Sequence, residues 1–381
     1  MNLRAAVIGA GFVGRAHIEA LRRLAIPIQG VLGSSPARTE EACRSLGIAR
    51  AYRSMDELAS DGSVDVVHVC TPNHLHFAEA ELALRAGKHV MCEKPLAMNT
   101  GETALLVQLA RERGRVGAVT YNSRYYPLCQ EAHALVKQGT IGEPRIAHGA
   151  YLQDWLFYPN DWNWRLEPAL GGTMRAVADI GTHWLDLIVW ITGRNLTELC
   201  ADLATVIPVR QRPTGPVETF QKAADAASEP VRMTTDDYAS ILLHFEGNLR
   251  GVLTVSQVSA GRKNRMWFEI DGSEGSLAWD EEQPNVLWIG SRQEANRWLI
   301  KDPSLMTPQA RAYARYPAGH AEGYPDTFLQ FFRDFYGHIA AGDFQVRPTF
   351  PTFETGHDGV KLCELVGLSA KQRRWVQVPG S

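Results

Sequence analysis

The sequence lacks the marks of most specialised protein classes. Its six cysteines (Cys43, Cys70, Cys92, Cys129, Cys200, Cys363) are scattered over 381 residues, with no pair at metal or redox spacing. That excludes a disulfide framework or zinc ribbon and leaves reduced, mostly buried thiols. Neither sign of charge is in excess: 39 Lys and Arg face 42 Asp and Glu, a net charge of −3. A nucleic-acid or membrane partner held by bulk charge is therefore not expected. Long apolar runs are missing too. Met1-Asn2-Leu3-Arg4 leads into only Ala5-Ala6-Val7-Ile8 before Gly9, too short for a signal-peptide core or a membrane span. Arg22-Arg23 is not followed by the apolar run of a twin-arginine signal, so the cytoplasm is the expected compartment. No repeat or low-complexity tract stands out. What remains, 45% hydrophobic and 21% charged, is the profile of a soluble globular protein. At roughly 150 residues per domain, its length suggests two domains.

The first third alternates strands and helices. Apolar runs at 3–8, 26–32, 64–70 and 88–92 read as buried strands. Helical periodicity covers 15–24, 78–85 and 100–113, with Gly87 stopping the second helix. Strands separated by helices of this length indicate a parallel, doubly wound sheet. Gly9-Ala10-Gly11-Phe12-Val13-Gly14 follows the first strand and opens the first helix, the context that gives a GxGxxG pattern meaning. The first glycine permits the tight turn, the second lets backbone approach a pyrophosphate, and the third lets helix and strand pack. The helix N-terminus then offers N–H groups to phosphates. No carboxylate follows the second strand, where Gly33-Ser34-Ser35-Pro36-Ala37-Arg38 stands. Ser34, Ser35 and Arg38 suit a 2′-phosphate; equally, Arg38 can sit on the solvent face of the next helix. NAD and NADP both stay open.

From about residue 142 the texture changes to longer alternating runs. Residues 145–156, 238–245, 251–258, 266–270 and 276–279 read as strands joined by short turns, hence a largely antiparallel sheet. The stretch 208–232, rich in Pro, Gly, Ala and charge, reads as an irregular surface excursion. Residues 176–191 read as one helix, on which Asp179, His183 and Asp186 share a stripe. A carboxylate there can fix the tautomer of His183 and raise its basicity, or the three can simply make helix-surface hydrogen bonds. Glu93-Lys94-Pro95 ends the fourth strand, on the side of a doubly wound sheet where ligands bind. His68, His74, His76 and His89 cluster in sequence without carboxylate or cysteine ligand spacing, so no metal is expected.

Read together, Gly9-x-Gly11-x-x-Gly14, Thr71-Pro72-Asn73-x-x-His76, Gly87-Lys88-His89-Val90 and Cys92-Glu93-Lys94-Pro95 resemble the glucose–fructose oxidoreductase and inositol dehydrogenase (Gfo/Idh/MocA) family. Gly171-Gly172 followed by Asp179-Ile180-Gly181-Thr182-His183-x-x-Asp186 resembles that family's second-domain signature. The segment 319–326 is compatible with its C-terminal half. The resemblance implies an α/β Rossmann domain (1–122), then an α+β domain (123–381) with a large open, mainly antiparallel sheet used in homodimer or homotetramer contacts. It implies NAD as cofactor, held by Gly9, Gly11, Phe12, Val13, Gly14, Ser34, Ser35, Arg38, Thr71, Pro72, Asn73, His76, Glu93 and Lys94. His183 is expected to take a hydroxyl proton, Asp179 to orient it, and Lys94 to stabilise the developing alkoxide.

The aromatic insertion 151–164 suits a carbohydrate, since Trp and Tyr faces stack on sugar C–H surfaces. A hydrophobic core or dimer seam is the competing reading. Arg124, Tyr126, Gln153, Asp154, Trp164, Arg165, Arg175, His183 and His320 are the candidate substrate-binding residues, the arginines for an anionic group. The expected function is oxidation of a secondary hydroxyl on a sugar or sugar derivative, anionic ones included. The alternative is an NAD-dependent glycoside hydrolase that oxidises, eliminates and re-reduces, with Tyr125, Tyr126 or His320 as its extra acid or base. A third reading is a non-catalytic dinucleotide sensor.

Overall fold

The computed structural model describes residues 3–215 and 227–380, which divide into two compact units. The first unit holds residues 1–122, 169–172 and 325–361. Its strands are β1 (Ala5–Ile8), β2 (Ile28–Leu32), β3 (Val66–Val69), β4 (His89–Cys92) and β5 (Gly117–Val119), all parallel, in the order β2-β1-β3-β4-β5. Helices α1 (Phe12–Arg23), α2 (Pro36–Leu46), α3 (Met55–Ser60), α4 (Asn73–Arg85) and α5 (Thr100–Glu112) alternate with them. The strands are short because they are buried on both faces: every residue of β1, β3, β4 and β5 is buried. Side chains set the helix starts, with Ser35, Ser54 and Asn99 accepting from the backbone N–H three residues on, as N-caps do. In this order the strand sequence reverses between β1 and β3, where ligands of open α/β sheets bind.

These units differ from a division into 1–122 and 123–381 at two segments, 169–172 and 325–361. Segment 325–361 belongs to the first unit, because its aromatic side chains complete that core. The rings of Phe328 and Phe332 pack on His17 at 5.3 and 4.9 Å, and the Val119 N–H donates to the Pro351 carbonyl.

The second unit is built on nine strands in the order β15-β14-β13-β12-β6-β11-β10-β7-β16. They are β6 (Pro144–Leu152), β7 (Leu196–Ala204), β10 (Tyr238–Phe245), β11 (Arg250–Ser256), β12 (Arg265–Gly272), β13 (Gly275–Asp280), β14 (Val286–Ser291), β15 (Arg297–Ile300) and β16 (Val376–Gln377). All neighbours are antiparallel except β6 and β11. The helix α6 (Pro127–Lys137) and the helix Thr182–Thr192 contribute to one hydrophobic core with this sheet. Trp184 is fully buried there and its indole donates to the Trp267 carbonyl at 2.9 Å. Gly149 makes room for it: a Cβ would stand 2.1 Å from that carbonyl oxygen and 2.5 Å from the indole nitrogen.

The stretch 208–232 is less irregular than its composition suggests. Its ends form an antiparallel ribbon, β8 (Val209–Pro213) with β9 (Ser228–Arg232); residues 216–226 lie outside the described residues. Among the described residues no helix is long and apolar enough to cross a membrane.

Candidate active site

The glycines after β1 divide their work as the fingerprint requires. Gly9 has φ +87° and sits so close to the end of β3 that a Cβ would meet the Cys70 carbonyl oxygen at 2.4 Å. A Cβ on Gly14 would stand 1.9 Å from the Gly9 carbonyl oxygen, so helix and turn pack only without it. Gly11, at the N-cap of α1, is different: a Cβ there meets nothing within 4 Å. Internal packing does not demand that glycine, and the space it leaves at a helix N-terminus fits a dinucleotide pyrophosphate. Gly14→Ala is therefore expected to give misfolded protein. Gly11→Ala should melt like the wild type yet bind NADH about tenfold more weakly or worse, as read by cofactor fluorescence.

Around this cradle several expected cofactor residues have structural duties. The Ser35 hydroxyl accepts from the Arg38 N–H and caps α2, with Ser34 and Arg38 exposed beside it. The Thr71 hydroxyl donates to Glu79 at 2.5 Å, and burial pushes the Glu79 carboxyl up to about 7. Pro72 is the N-cap of α4, and the Asn73 amide donates to the Gly171 carbonyl at 2.9 Å. Phe12 is 52% exposed at the start of α1.

His76, expected at the cofactor, also fastens two loops. It is fully buried, with its ring nitrogens 2.7 Å from the Pro95 carbonyl and 2.8 Å from the Thr71 carbonyl. Burial lowers its pKa, against those two carbonyls, which favour the charged ring. It thereby ties the turn after β3 to the turn after β4. That second turn carries Glu93, buried, and Lys94, half-buried, ahead of a cis Lys94–Pro95 bond.

In the second unit the helix expected over 176–191 is two structures. Val177–Gly181 is a π-helical turn, and an α-helix runs from Thr182 to Thr192. Single π turns of this kind recur at functional sites. Asp179 lies in the π turn with both oxygens engaged: Arg165 donates to one at 3.0 Å and Gln257 to the other at 2.7 Å. His183 is buried in the first turn of the α-helix, its Nδ1 3.5 Å from the Ser123 hydroxyl and its ring edge-on to Tyr151 at 6.2 Å. Asp186 is not a partner held in reserve for His183. Arg124 grips both of its oxygens.

The three arginines expected to bind a substrate anion have internal carboxylates instead. Arg124 pairs with Asp186, Arg165 with Asp179, and Arg175 with Asp237. Arg175 is 2% exposed and also donates to Gln257 at 2.7 Å. Burial in such a place demands pairing, and these guanidiniums are already neutralised.

The aromatic insertion is partly core, as the competing reading had it. Leu156, Trp162, Leu166 and Met233 form a satellite cluster. Trp164 is half-buried beneath the Arg165 guanidinium at 4.4 Å. Gln153 is buried, donating to Asn264 and accepting from Trp155 and Gln257. Asp154 is tied to Lys263 at 2.6 Å and to the Gly261 N–H, which hold its carboxyl below the usual range. His320 is exposed, its ring turned to the Ala318 carbonyl.

Sequence reasoning missed Gln257, Asn264 and Glu281. The Tyr126 hydroxyl, expected at a substrate, donates to the Glu281 carboxyl at 3.0 Å inside the core. The other Glu281 oxygen is buried with no hydrogen-bond partner, and burial pushes this acid up to about 8. Glu281 thus holds a proton in the folded state that the unfolded chain releases near pH 4.5. Stability should fall as pH rises from about 4.5 to about 8, by on the order of a few kcal/mol, and level off above. Glu281→Gln is expected to flatten that decline in Tm measured from pH 5 to 9; parallel wild-type and variant curves would contradict it.

One half-buried trio with metal-ligand chemistry, His148, Glu269 and Asp271 on β6 and β12, has its ligand atoms within 4.8 Å of one another. The His148–Asp271 distance of 3.8 Å is that of a sheet-surface ion pair.

A glycine cradle at the switch point of a parallel, doubly wound sheet is that of a dinucleotide-binding Rossmann domain. Residues 3–121 match the model of the oxidoreductase family with an NAD-binding Rossmann fold, and residues 129–278 match the GFO/IDH/MocA C-terminal domain. The chain belongs to the GFO/IDH/MocA family. It is 29% identical to levoglucosan dehydrogenase of Pseudarthrobacter phenanthrenivorans, over 99% of this chain and 98% of that one. A structure of levoglucosan dehydrogenase in complex with NADH and levoglucosan superposes with a TM-score of 0.88 at 28% identity, covering all of both chains. An inositol dehydrogenase homolog of Azotobacter vinelandii, complexed with NADH and myo-inositol, superposes at 0.84 with 26% identity, over 99% of this chain and 97% of that one.

Proposed function

We propose that this enzyme is an NAD-dependent dehydrogenase of a secondary hydroxyl on a neutral sugar, anhydrosugar or cyclitol. The observation that carries the reading is Asp179 gripped on both oxygens in the π turn that leads into His183. A carboxylate so held keeps its charge and its place, which suits a partner for a proton-accepting imidazole. The similar proteins named above, in complexes with levoglucosan and with myo-inositol, support the substrate class. The pairing of Arg124, Arg165 and Arg175 with internal carboxylates argues against the anionic substrates that the arginines suggested.

When bound, NAD supplies the hydride acceptor. His183 takes the hydroxyl proton, Asp179 stabilises the charged ring that results, and Lys94 steadies the alkoxide oxygen. The paired, exposed Leu242 and Val252, with Ile146 nearby on the nine-stranded sheet, support a homodimer or homotetramer. The testing experiment follows absorbance of reduced nicotinamide while purified enzyme and NAD meet a panel of sugars, anhydrosugars, cyclitols, sugar acids and aryl glycosides. Stoichiometric NADH with a neutral polyol supports the reading. Aryl release without lasting NADH would replace it with the redox-neutral hydrolase.

A further inference from the structure

The first unit buries a chain of polar groups that the proposed reaction does not use. His17 on α1 and His68 on β3 are both fully buried, and their Nδ1 atoms lie 3.0 Å apart. The other His17 nitrogen is 3.1 Å from the Glu93 carboxylate, and the other His68 nitrogen is 2.8 Å from the Tyr336 hydroxyl. The rings of Phe328 and Phe332 sheathe the pair, at 5.3 and 4.9 Å from His17 and 4.9 Å from His68 to Phe332. A site so apolar would be filled more cheaply by leucine, because each polar nitrogen taken from water must be fully bonded to be tolerated. Here each one has a partner, and the chain ends one residue before Lys94.

We propose that His17, His68 and Tyr336 are positioning residues: a buried hydrogen-bond chain from Tyr336 through His68 and His17 that keeps Glu93 ionised and fixed beside Lys94. An ionised carboxylate only accepts, so the His17 Nε2 donates to Glu93. With neutral rings the remaining bonds run one way: Tyr336 O–H to His68 Nε2, then His68 Nδ1–H to His17 Nδ1. Burial pushes His68 far below its ordinary value, which keeps that ring neutral.

Other titratable groups face the chain. Cys70 at the end of β3, Cys92 in β4 and His76 on α4 all feel Glu93, and His76 feels Lys94 as well. Glu79 acts on Cys70 and Cys92, and Asp65 acts on Tyr336. These surroundings are shared by wild type and variants, so a difference between them reports on the chain.

The role given to Lys94 rests on the dehydrogenase reading, and the test separates the two. His17→Ala removes the donor to Glu93, so Glu93 protonates more readily and the acidic limb of the kcat profile should rise by about one pH unit. His17→Gln, which can still donate, should restore the limb, and Tyr336→Phe should shift it less. A His17→Ala profile that superimposes on the wild type, with only Tm lowered, would overturn the proposal. If the wild type oxidises no sugar, the dehydrogenase reading fails on its own. The chain is then judged by ring 15N signals of histidine-labelled enzyme with NAD. Tyr336→Phe must change the His68 and His17 signals, and unchanged His17 signals would overturn the chain.

Discussion

His183→Ala should retain NADH binding and lose turnover, with kcat down by about 10²–10⁴-fold, the usual worth of a positioned general base. Lys94→Ala should behave alike, because an ammonium acting on a developing alkoxide contributes only as that charge appears. In both, kcat and kcat/KM for the sugar should fall together, the signature of a lost transition-state interaction. Cofactor fluorescence titration separates this outcome from failure to fold. Near-normal turnover in either variant would remove that residue from the mechanism.

Asp237→Ala is expected to cost more stability than the loss of any exposed ion pair. Asp237 is 1% exposed and accepts from Arg175 and Arg210, both buried, and from the Ile207 N–H. Removing it takes from two buried guanidiniums the carboxylate they share, a loss of about 3–5 kcal/mol. That is a large share of the ~5–15 kcal/mol that holds a folded protein together. The apparent Tm should drop by about 10 °C or more, read by calorimetry. Asp154→Ala is the contrasting control. Its partner Lys263 has a side chain 78% exposed to water, and such pairs are worth little, so its Tm should scarcely move. Equal losses in both variants would mean that burial does not decide the value of these ion pairs.

The nucleotide half of the fold was legible because its requirements are local. A glycine needed for φ +87° or for a 1.9 Å approach leaves its mark at one position, and the buried strands read as short apolar runs. The place of Lys94 was legible for the same reason, since it stands two residues beyond a buried strand. The polar chemistry of the second unit was not, because its partners come from distant segments. Arg124 finds Asp186 across 62 residues and Asp179 finds Gln257 across 78, and no periodicity links such pairs. The π turn was hidden because one extra residue in a turn leaves the apolar pattern of 176–191 intact. The return of 325–361 to the first unit escaped notice because Tyr336 meets His68 across 268 residues. The aromatic segment 151–164 was ambiguous for a physical reason, since the same large rings serve a core and a sugar surface.

The central claim is a net transfer of reducing equivalents from a neutral polyol to NAD, with His183 as base. It is tested most directly by following reduced-nicotinamide absorbance in wild type and His183→Ala with levoglucosan, myo-inositol and the wider polyol panel. The account expects one NADH per polyol oxidised by the wild type and almost none by the variant, with NADH affinity alike in both. Absence of NADH with every neutral polyol, or equal rates in the two proteins, would contradict it.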